Sequence, residues 1–257
     1  MVMTTELVLY AYIFIFGLCI GSFLNVCIYR LPDGTFLEAL RSECPTCGET
    51  IRFYDNIPVV SYLVLKGRCR HCKTTISIRY PLVELITGLS AVAAYAKFGL
   101  TPEGLIYFAF IAALIVVIYI DIDHKIIPNS ITLPGIPIGL LASFLLTSIT
   151  VKESMVGIIA GGGSLLSVAW TYRLITKREG MGGGDIKLLA MIGAFIGWKG
   201  VIFTIYTASV AGTLVGLPVI LFKNKNFRFK IPFGPFLSLG AILYIFFGEA
   251  VINWYLF

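Results

Sequence analysis

The chain alternates between long apolar runs and shorter polar segments. Eight runs are long enough, or nearly so, to cross a hydrocarbon core of about 30 Å. They lie roughly at 7–29, 81–98, 104–121, 131–149, 154–174, 185–198, 200–222 and 233–255. The run at 185–198 is shorter than the about 20 residues that a full crossing takes, so a re-entrant or tilted helix competes with a full span there. The pattern predicts an all-α polytopic membrane protein with about eight transmembrane helices.

Composition favours the same class of protein. Of the 257 residues, 58% are hydrophobic and only 13% are charged, which is too apolar for a water-soluble domain of this size. The first run has no basic segment before it, and it continues unbroken from Glu6 past Tyr29. We therefore expect a membrane anchor there and not a cleaved signal peptide.

The positive charges are distributed unevenly between the two sides of the predicted membrane. If the N-terminus lies outside, the polar loops on the cytoplasmic side hold all but three of the 20 Lys and Arg residues. These loops lie at 30–80, 122–130, 173–187 and 223–232. The positive-inside rule then predicts this orientation. The basic segment that begins at Lys223 is predicted to bind anionic membrane lipid and not nucleic acid.

The longest polar segment contains two CxxC pairs, Cys44 with Cys47 and Cys69 with Cys72. Their spacing is typical of a structural zinc site with four thiolate ligands. Gly48 after the first pair is suited to a positive φ, and Lys73 stands in the same place after the second. Disulfides are the alternative, but a reducing cytoplasm disfavours them. Because all four ligands come from the protein, we expect the metal to stabilise the loop and not to catalyse hydrolysis.

These patterns predict three parts of the chain. Residues 1–30 form the first transmembrane helix, residues 31–80 form a small cytoplasmic zinc-binding domain, and residues 81–257 form a seven-helix membrane core.

Three acidic residues lie at the cytoplasmic ends of predicted spans. Asp121 and Asp123 follow the third run, and Asp185 follows the glycine-rich stretch that includes Gly182 and Gly184. An ionisable side chain at such a border is a functional candidate, and glycines without a Cβ allow the backbone to approach a neighbouring helix. Two carboxylates about 3 to 5 Å apart share a proton, so one serves as general base and the other as general acid. The sequence therefore suggests an aspartic protease.

The spacing of the acids leaves the partner of Asp185 open. Residues two apart on a helix point about 200° away from each other, so Asp121 and Asp123 are not expected to face the same site. Helix geometry alone makes them nearly equal candidates for the partner of Asp185. An isolated acid at a span end is more often a solvated cap or a headgroup contact. No GxSxG or HExxH motif is present, which disfavours serine and catalytic-zinc hydrolases.

Four segments carry a close resemblance to a known family. They are GSFLNVCIYRLP from Gly21, the stretch from Cys44 to Glu84 with both CxxC pairs, IDIDHKIIPNSITLP from Ile120, and EGMGGGDIKLLAMIGAFIGW from Glu179. In these residues and their order the chain resembles the bacterial type IV prepilin peptidases, also called prepilin leader peptidase/N-methyltransferases.

The resemblance implies a GxGD-type aspartic endopeptidase in the bacterial cytoplasmic membrane. Such an enzyme removes the short basic leader from prepilins and pseudopilins after a glycine, and in most bacterial members it methylates the new N-terminus with S-adenosylmethionine. The family's first catalytic aspartate lies seven positions before the Pro of a Pro-Asn or Pro-Asp pair, which here selects Asp121, and Asn129 stands where many members have Asp. The second is the Asp of GxGD, Asp185. Gly182, Gly184, Asp123 and Lys187 are the expected supports of the catalytic loop.

The site of methyl transfer is not located by the sequence. No segment resembles a glycine-rich Rossmann turn, and the cytoplasmic loop with Glu38, Glu43, Asp55 and Asn56 is the region where we would look for it. One alternative is a peptidase without methyl transfer, like archaeal preflagellin peptidases, which typically lack the cysteine loop. Another is a transporter, which would place acids near mid-bilayer on broken helices.

Overall fold

The computed structural model describes residues 2–34, 42–177, 182–222 and 232–256. Within these ranges it is almost entirely helical, without a β-strand. Apart from a short 3₁₀ turn at Phe53–Asp55, the helices are α1 Val2–Arg30, α2 Val60–Val64, α3 Arg79–Phe98, α4 Pro102–His124, α5 Asn129–Ala142, α6 Val151–Thr176, α7 Gly183–Phe222 and α8 Gly234–Leu256. The predicted all-α class is confirmed.

Among the residues that the structure describes, five helices are long and apolar enough to cross a membrane, and two shorter apolar helices accompany them. The five are Glu6–Arg30, Arg79–Phe98, Pro102–His124, Val151–Thr176 and Gly183–Pro218, and the shorter two are Asn129–Ala142 and Gly234–Gly248. The protein is therefore a multi-pass membrane protein, as predicted.

Two boundaries differ from the prediction. The runs at 185–198 and 200–222 belong to one helix, α7, which is interrupted at Gly197, where φ is 67° and ψ is −179°. The segment before this break is about 21 Å long at 1.5 Å per residue. The run at 131–149 is helical only to Ala142, because short-range hydrogen bonds from the N–H groups of Phe144 and Leu145 turn the chain there.

The chain forms two compact units, residues 1–116 and 117–257. In the first unit α1 packs along α3. Gly17 and Gly21 of α1 let the two backbones come close. A Cβ on Gly21 would lie 2.6 Å from the Cα of Glu84, a distance that real side chains do not tolerate. Such small-residue contacts are how helices without a hydrophobic driving force pack in membranes.

In the second unit α7 is the central helix, and α5, α6 and α8 all pack against it. Leu188, Leu189, Ile192 and Ile196 of α7 are almost completely buried. The helices α6 and α7 approach closely where Gly157 faces the carbonyl of Gly193. The hydroxyl of Ser154 adds a buried hydrogen bond of 2.7 Å to the carbonyl of Ala194.

Candidate active site and metal centre

Asp121 lies in the last turns of α4 and is only 5% exposed. Its Oδ2 accepts a buried hydrogen bond of 2.9 Å from the backbone N–H of Gly234, the first residue of α8. The N-terminus of a helix carries a partial positive charge and free N–H donors. The carboxylate is thus held in a fixed position by a residue far away in the chain.

Asp185 lies in the first turn of α7, where it is half-buried. Its N–H donates a hydrogen bond of 3.2 Å to the carbonyl of Gly182, which closes the turn that begins the helix. A Cβ on Gly182 would lie 3.6 Å from the Asp185 carboxylate, an ordinary contact. Gly182 therefore lies beside the carboxylate of Asp185.

Ile127 connects the surroundings of the two acids. Its side chain lies against Gly184, where a Cβ would be 2.9 Å from the Ile127 Cβ, and against Gly234, where a Cβ would be 3.2 Å from its Cδ1. The Ile127 side chain therefore contacts both Gly184, which precedes Asp185, and Gly234, which binds Asp121. The structure brings the two predicted acids into one neighbourhood.

The other residues predicted to support this site lie at its edge. Asp123 is exposed, on a different side of α4 from the buried Asp121. Lys187 donates a hydrogen bond of 2.9 Å from Nζ to Oδ1 of Asn129, the first residue of α5. Lys187 thus links the start of α7 to the start of α5. A catalytic role for Gly182, Gly184, Asp123 and Lys187 remains a prediction.

The four cysteines of the two CxxC pairs converge. The sulfurs of Cys44, Cys47, Cys69 and Cys72 all lie within 4.8 Å of one another, and those of Cys44 and Cys72 are 3.9 Å apart. Thiolates at a zinc–sulfur distance of about 2.3 Å, on the corners of a tetrahedron, lie about 3.8 Å apart. The sulfur spacing therefore fits a tetrahedral metal site.

The two CxxC pairs have the same backbone geometry. In the first pair, the N–H of Cys44 donates to the carbonyl of Glu49, and the N–H of Gly48 donates to the carbonyl of Cys44. In the second pair, the N–H of Cys69 donates to the carbonyl of Thr74, and the N–H of Lys73 donates to the carbonyl of Cys69. Gly48 and Lys73 both have a positive φ, 69° and 60°. The expectation for Gly48 is confirmed, and Lys73 adopts the same conformation without being glycine.

Backbone N–H groups also act on the thiols themselves. Hydrogen bonds from the N–H groups of Cys47 and Thr46 lower the pKa of the Cys44 thiol to about 6. A thiolate is the form that binds a metal. The backbone of the first pair is therefore arranged to stabilise the ligand form of Cys44.

An ion pair braces the same loop. Arg70 donates to Asp55 from Nε at 2.7 Å and from a terminal nitrogen at 2.6 Å, and its guanidinium lies 5.6 Å from the centre of the Tyr54 ring. These hydrogen bonds hold the pKa of Asp55 below its usual value. Asp55, Glu43 and Asn56 line a cavity in this unit, whereas Glu38 lies outside the described residues.

Two contacts of buried acids were not anticipated from the sequence. Gly234 contacts Asp121 directly, and the only local sign was a glycine between two prolines just before an apolar run. Glu84 is 8% exposed in α3, and its Oε2 accepts a hydrogen bond of 2.7 Å from the N–H of Val59. An acid inside an apolar run was the available signal for that residue.

The chain is similar to two protein families and to several known proteins. The bacterial peptidase A24 N-terminal domain matches residues 15–98, and the type IV leader peptidase family matches residues 108–217. Similar proteins include a prepilin leader peptidase/N-methyltransferase of Burkholderia pseudomallei, 38% identical over 93% of this chain and 85% of the relative. Others are those of Pseudomonas putida, 35% identical over 92% and 90%, and Pseudomonas aeruginosa, 36% identical over 93% and 91%.

No solved structure matches the chain. The two family matches follow each other along most of the sequence, and the relatives are similar over nearly their full length. The chain therefore belongs to the type IV leader peptidase family.

Proposed function

We propose that this protein cleaves the leader peptide from prepilins at the membrane surface and methylates the N-terminus that cleavage exposes. The names of the relatives support both activities. The observation that carries the peptidase assignment is the neighbourhood of Asp121 and Asp185, two acids from distant segments whose surroundings share the side chain of Ile127.

Peptide hydrolysis requires one group to take a proton and another to give one. One carboxylate of the pair removes a proton from water, whose oxygen attacks the scissile carbonyl carbon, while the other carboxyl group protonates the carbonyl oxygen. The tetrahedral intermediate then breaks its C–N bond as the nitrogen takes up a proton. The products are a leader with a new carboxyl terminus and a pilin with a new amino terminus.

Asp121 is the better-fixed partner in this scheme. Its hydrogen bond from Gly234 holds one oxygen of the carboxylate in place. Two like charges side by side are not both stable, so the pair holds one proton between them. Asp121 and Asp185 are the proposed catalytic residues, with Gly182, Gly184, Asp123 and Lys187 shaping the surrounding loops.

The cysteine cluster is proposed to bind zinc with a structural role. The sulfur spacing and the lowered pKa of Cys44 support this assignment. With four protein thiolates the metal has no open position. Zinc would hold the two halves of the loop at 31–80 together, as a small domain beside the membrane helices.

S-adenosylmethionine is the proposed methyl donor. The proposed substrates are type IV prepilins or type II secretion pseudopilins, whose apolar helix lies in the membrane while the basic leader stays in the cytoplasm. The positive-inside distribution supports insertion in the bacterial inner membrane, with the N-terminus outside and both acids on the cytoplasmic side. The bond to be cut and the acids would then meet at the same depth.

The test is cleavage of a purified prepilin by the protein in detergent or lipid nanodiscs. Asp121→Asn and Asp185→Asn are each expected to lower kcat/KM at least a thousandfold, because neither variant retains a proton-sharing pair. Asp123→Asn should lower it far less, since Asp123 is exposed. Cleavage at the wild-type rate by either of the first two variants would reject the pair. Product masses with S-adenosylmethionine present report methylation in the same experiment.

A further inference from the structure

The short helix α2 of the first unit turns one face inward and leaves the other exposed. The inward face carries Ser61, which is buried, and Leu65, which follows four residues later and is partly buried. The opposite face consists of three apolar side chains at the i, i+3, i+4 spacing of one helix face. They are Val60, Leu63 and Val64, which are 51%, 68% and 70% exposed.

This exposure equals that of side chains on the first membrane helix. Leu7 and Tyr12 of α1 are 72% and 67% exposed, in a helix that is long and apolar enough to cross a membrane. Single apolar side chains are common on surfaces that face water, whereas a group of them on one helix face indicates a binding surface. The outer face of α2 therefore indicates an apolar partner.

A hydrogen bond places the start of α2 beside a membrane helix. The N–H of Val59, the residue before α2, donates to Oε2 of Glu84 at 2.7 Å. Glu84 lies about 7.5 Å along α3 from its first residue, Arg79, at 1.5 Å per residue. The 20 residues of α3 are together about 30 Å long, which is the thickness of the hydrocarbon core. The start of α2 is therefore level with the end of the membrane span.

Local hydrogen bonds fix α2 at this level. Val59 has a φ of 62° and a ψ of −48°, which are unfavourable for a β-branched residue, and such strain persists only where the surroundings fix the conformation. The hydroxyl of Ser61 accepts a hydrogen bond of 3.0 Å from the N–H of Ile57. The N–H of Leu63 donates to the carbonyl of Val59, and that of Leu65 donates to the carbonyl of Ser61. The backbone of α2 is thus satisfied internally, as contact with lipid requires.

The sequence around α2 is basic. Residues 56–83 contain no Asp or Glu and five basic residues, Lys66, Arg68, Arg70, Lys73 and Arg79. Lys66 and Arg68 follow α2 directly and are exposed. Basic side chains beside an apolar helix face are typical of segments that lie in a membrane surface, where the cation meets anionic headgroups. Anionic lipid offers acyl chains and negative charge together at the level of α2, and it is therefore the partner that fits this surface.

We propose that the outer face of α2 inserts into the membrane leaflet at which α3 begins. Val60, Leu63 and Val64 lie among the acyl chains just below the headgroups, and Lys66 and Arg68 bind the headgroups of anionic phospholipids. The contact holds the segment with the two CxxC pairs against the membrane surface. It does not depend on the proposed peptidase or methyltransferase function.

Fluorescence quenching measures where this face lies. The native tryptophans are first removed by Trp170→Phe, Trp198→Phe and Trp254→Phe. Leu63→Trp or Val64→Trp then supplies the single tryptophan of one chain in a lipid nanodisc. Phospholipids brominated just below the headgroup should quench its emission at least twofold. Thr46→Trp is the matched control, because Thr46 is exposed in the same loop outside α2; aqueous acrylamide and not the brominated lipid should quench it.

Three results would overturn the proposal. The first is the absence of quenching by brominated lipid in both α2 variants, in protein that retains the wild-type melting temperature. The second is blue-shifted emission without such quenching, which would mean that protein and not lipid covers the face. The third is equal quenching of the Thr46→Trp protein, which would mean that the loop as a whole, and not the face of α2, lies in lipid.

The charge of the lipid is tested in the same nanodiscs. Brominated phosphatidylglycerol should quench the tryptophan of the Leu63→Trp protein at least twice as strongly as brominated phosphatidylcholine at the same mole fraction. Lys66→Gln combined with Arg68→Gln should remove this difference, because the two cations attract the anionic lipid. Equal quenching by the two lipids before the charges are removed would overturn the choice of anionic lipid as the partner.

A second measurement uses the wild-type chain and does not depend on how the tryptophan variants fold. A phospholipid with a diazirine group just below the headgroup is irradiated in the nanodisc, and the labelled peptides are identified by mass spectrometry. Label is expected on the tryptic peptide 53–66, which contains α2, as well as on peptides of α1. Label on α1 with none on peptide 53–66 would overturn the proposal.

Discussion

The backbone N–H of Gly234 donates a hydrogen bond of 2.9 Å to Oδ2 of Asp121, and the two residues are 113 positions apart. Gly234 begins α8, so the carboxylate at the end of α4 faces the positive end of another helix. Only glycine fits this position, since a Cβ would lie 2.6 Å from the same oxygen. The start of α8 therefore determines where the first acid of the pair is held.

Gly234→Ala should impair prepilin cleavage without unfolding the membrane helices. The added methyl group must push the Asp121 carboxylate away from its donor, and a displacement of about 1 Å in a catalytic group can cost about a hundredfold in rate. We expect kcat/KM to fall at least tenfold. Gly212→Ala is the control, because the nearest atom to its Cβ would be 3.7 Å away in the Phe236 ring. Equal activity of the two variants would show that the Gly234 contact does not position Asp121.

The glycines before Asp185 are predicted to differ sharply in their tolerance of alanine. A Cβ on Gly184 would meet Ile127 at 2.9 Å, whereas a Cβ on Gly183 would meet nothing within 4 Å. Gly184→Ala should therefore shift the start of α7 and lower kcat/KM of cleavage at least tenfold, and Gly183→Ala should leave it within about threefold. If Gly183→Ala is as damaging as Gly184→Ala, flexibility of the turn and not close packing explains the glycines.

The sequence was sufficient for the features that depend on local pattern. Apolar runs identified the membrane helices, and the spacing of Cys44, Cys47, Cys69 and Cys72 anticipated a cluster that the structure brings within 4.8 Å. The sequence predicted two separate runs where the structure has one helix with a break at Gly197. Apolar periodicity does not distinguish these cases, because a run of apolar residues looks the same in a straight and in an interrupted helix.

The choice between Asp121 and Asp123 needed more than local pattern. Helix geometry indicates that the two acids point in different directions, but which one meets α7 and α8 depends on how α4 is rotated in the packed unit. The structure buries Asp121 and exposes Asp123, and the selection of Asp121 by the family resemblance stays a prediction. The contact from Gly234 was missed for the same reason, since no short-range rule pairs a backbone N–H with a carboxylate so far away in the chain.

Glycines in the middle of α6 should also separate into two groups. A Cβ on Gly161 would collide with the carbonyl of Leu189 in α7, whereas a Cβ on Gly163 would meet nothing within 4 Å. Gly161→Ala is thus expected to destabilise the protein by about 1 to 3 kcal/mol through overpacking. Gly163→Ala should be neutral or stabilising by up to about 1 kcal/mol, because alanine favours helix. Thermal unfolding in detergent measures both, and a lower melting temperature for Gly163→Ala would contradict this assignment.

Removing one cysteine ligand should release the metal. Cys72→Ser is expected to reduce bound zinc well below one per chain and to lower the melting temperature, because metal binding and folding of such loops are coupled. Cys19→Ser is the matched control, since Cys19 lies exposed in α1 away from the cluster. Elemental analysis of the purified proteins makes the comparison. Zinc-free wild-type protein with undiminished stability would reject the metal site.

Gly48 and Lys73, the two positive-φ residues that follow the CxxC pairs, should differ in how substitution changes the zinc affinity. A left-handed conformation costs a non-glycine residue about 1 to 2 kcal/mol, and no atom lies within 4 Å of the Cβ position on Gly48, so Gly48→Ala carries this conformational cost alone. Lys73 already bears it at φ 60°, so Lys73→Gly relieves it but adds about 0.4 to 1 kcal/mol of chain entropy to the unfolded state.

Zinc affinity, measured by competition with a chelator, should therefore fall about fivefold or more for Gly48→Ala and stay equal or rise for Lys73→Gly, since about 1.4 kcal/mol corresponds to tenfold. Thr46→Ala provides a control inside the first pair at an exposed side chain, and its affinity should remain close to wild type. A loss of affinity in Lys73→Gly as large as in Gly48→Ala would mean that the Lys73 side chain, and not the backbone conformation it shares with Gly48, stabilises the second pair.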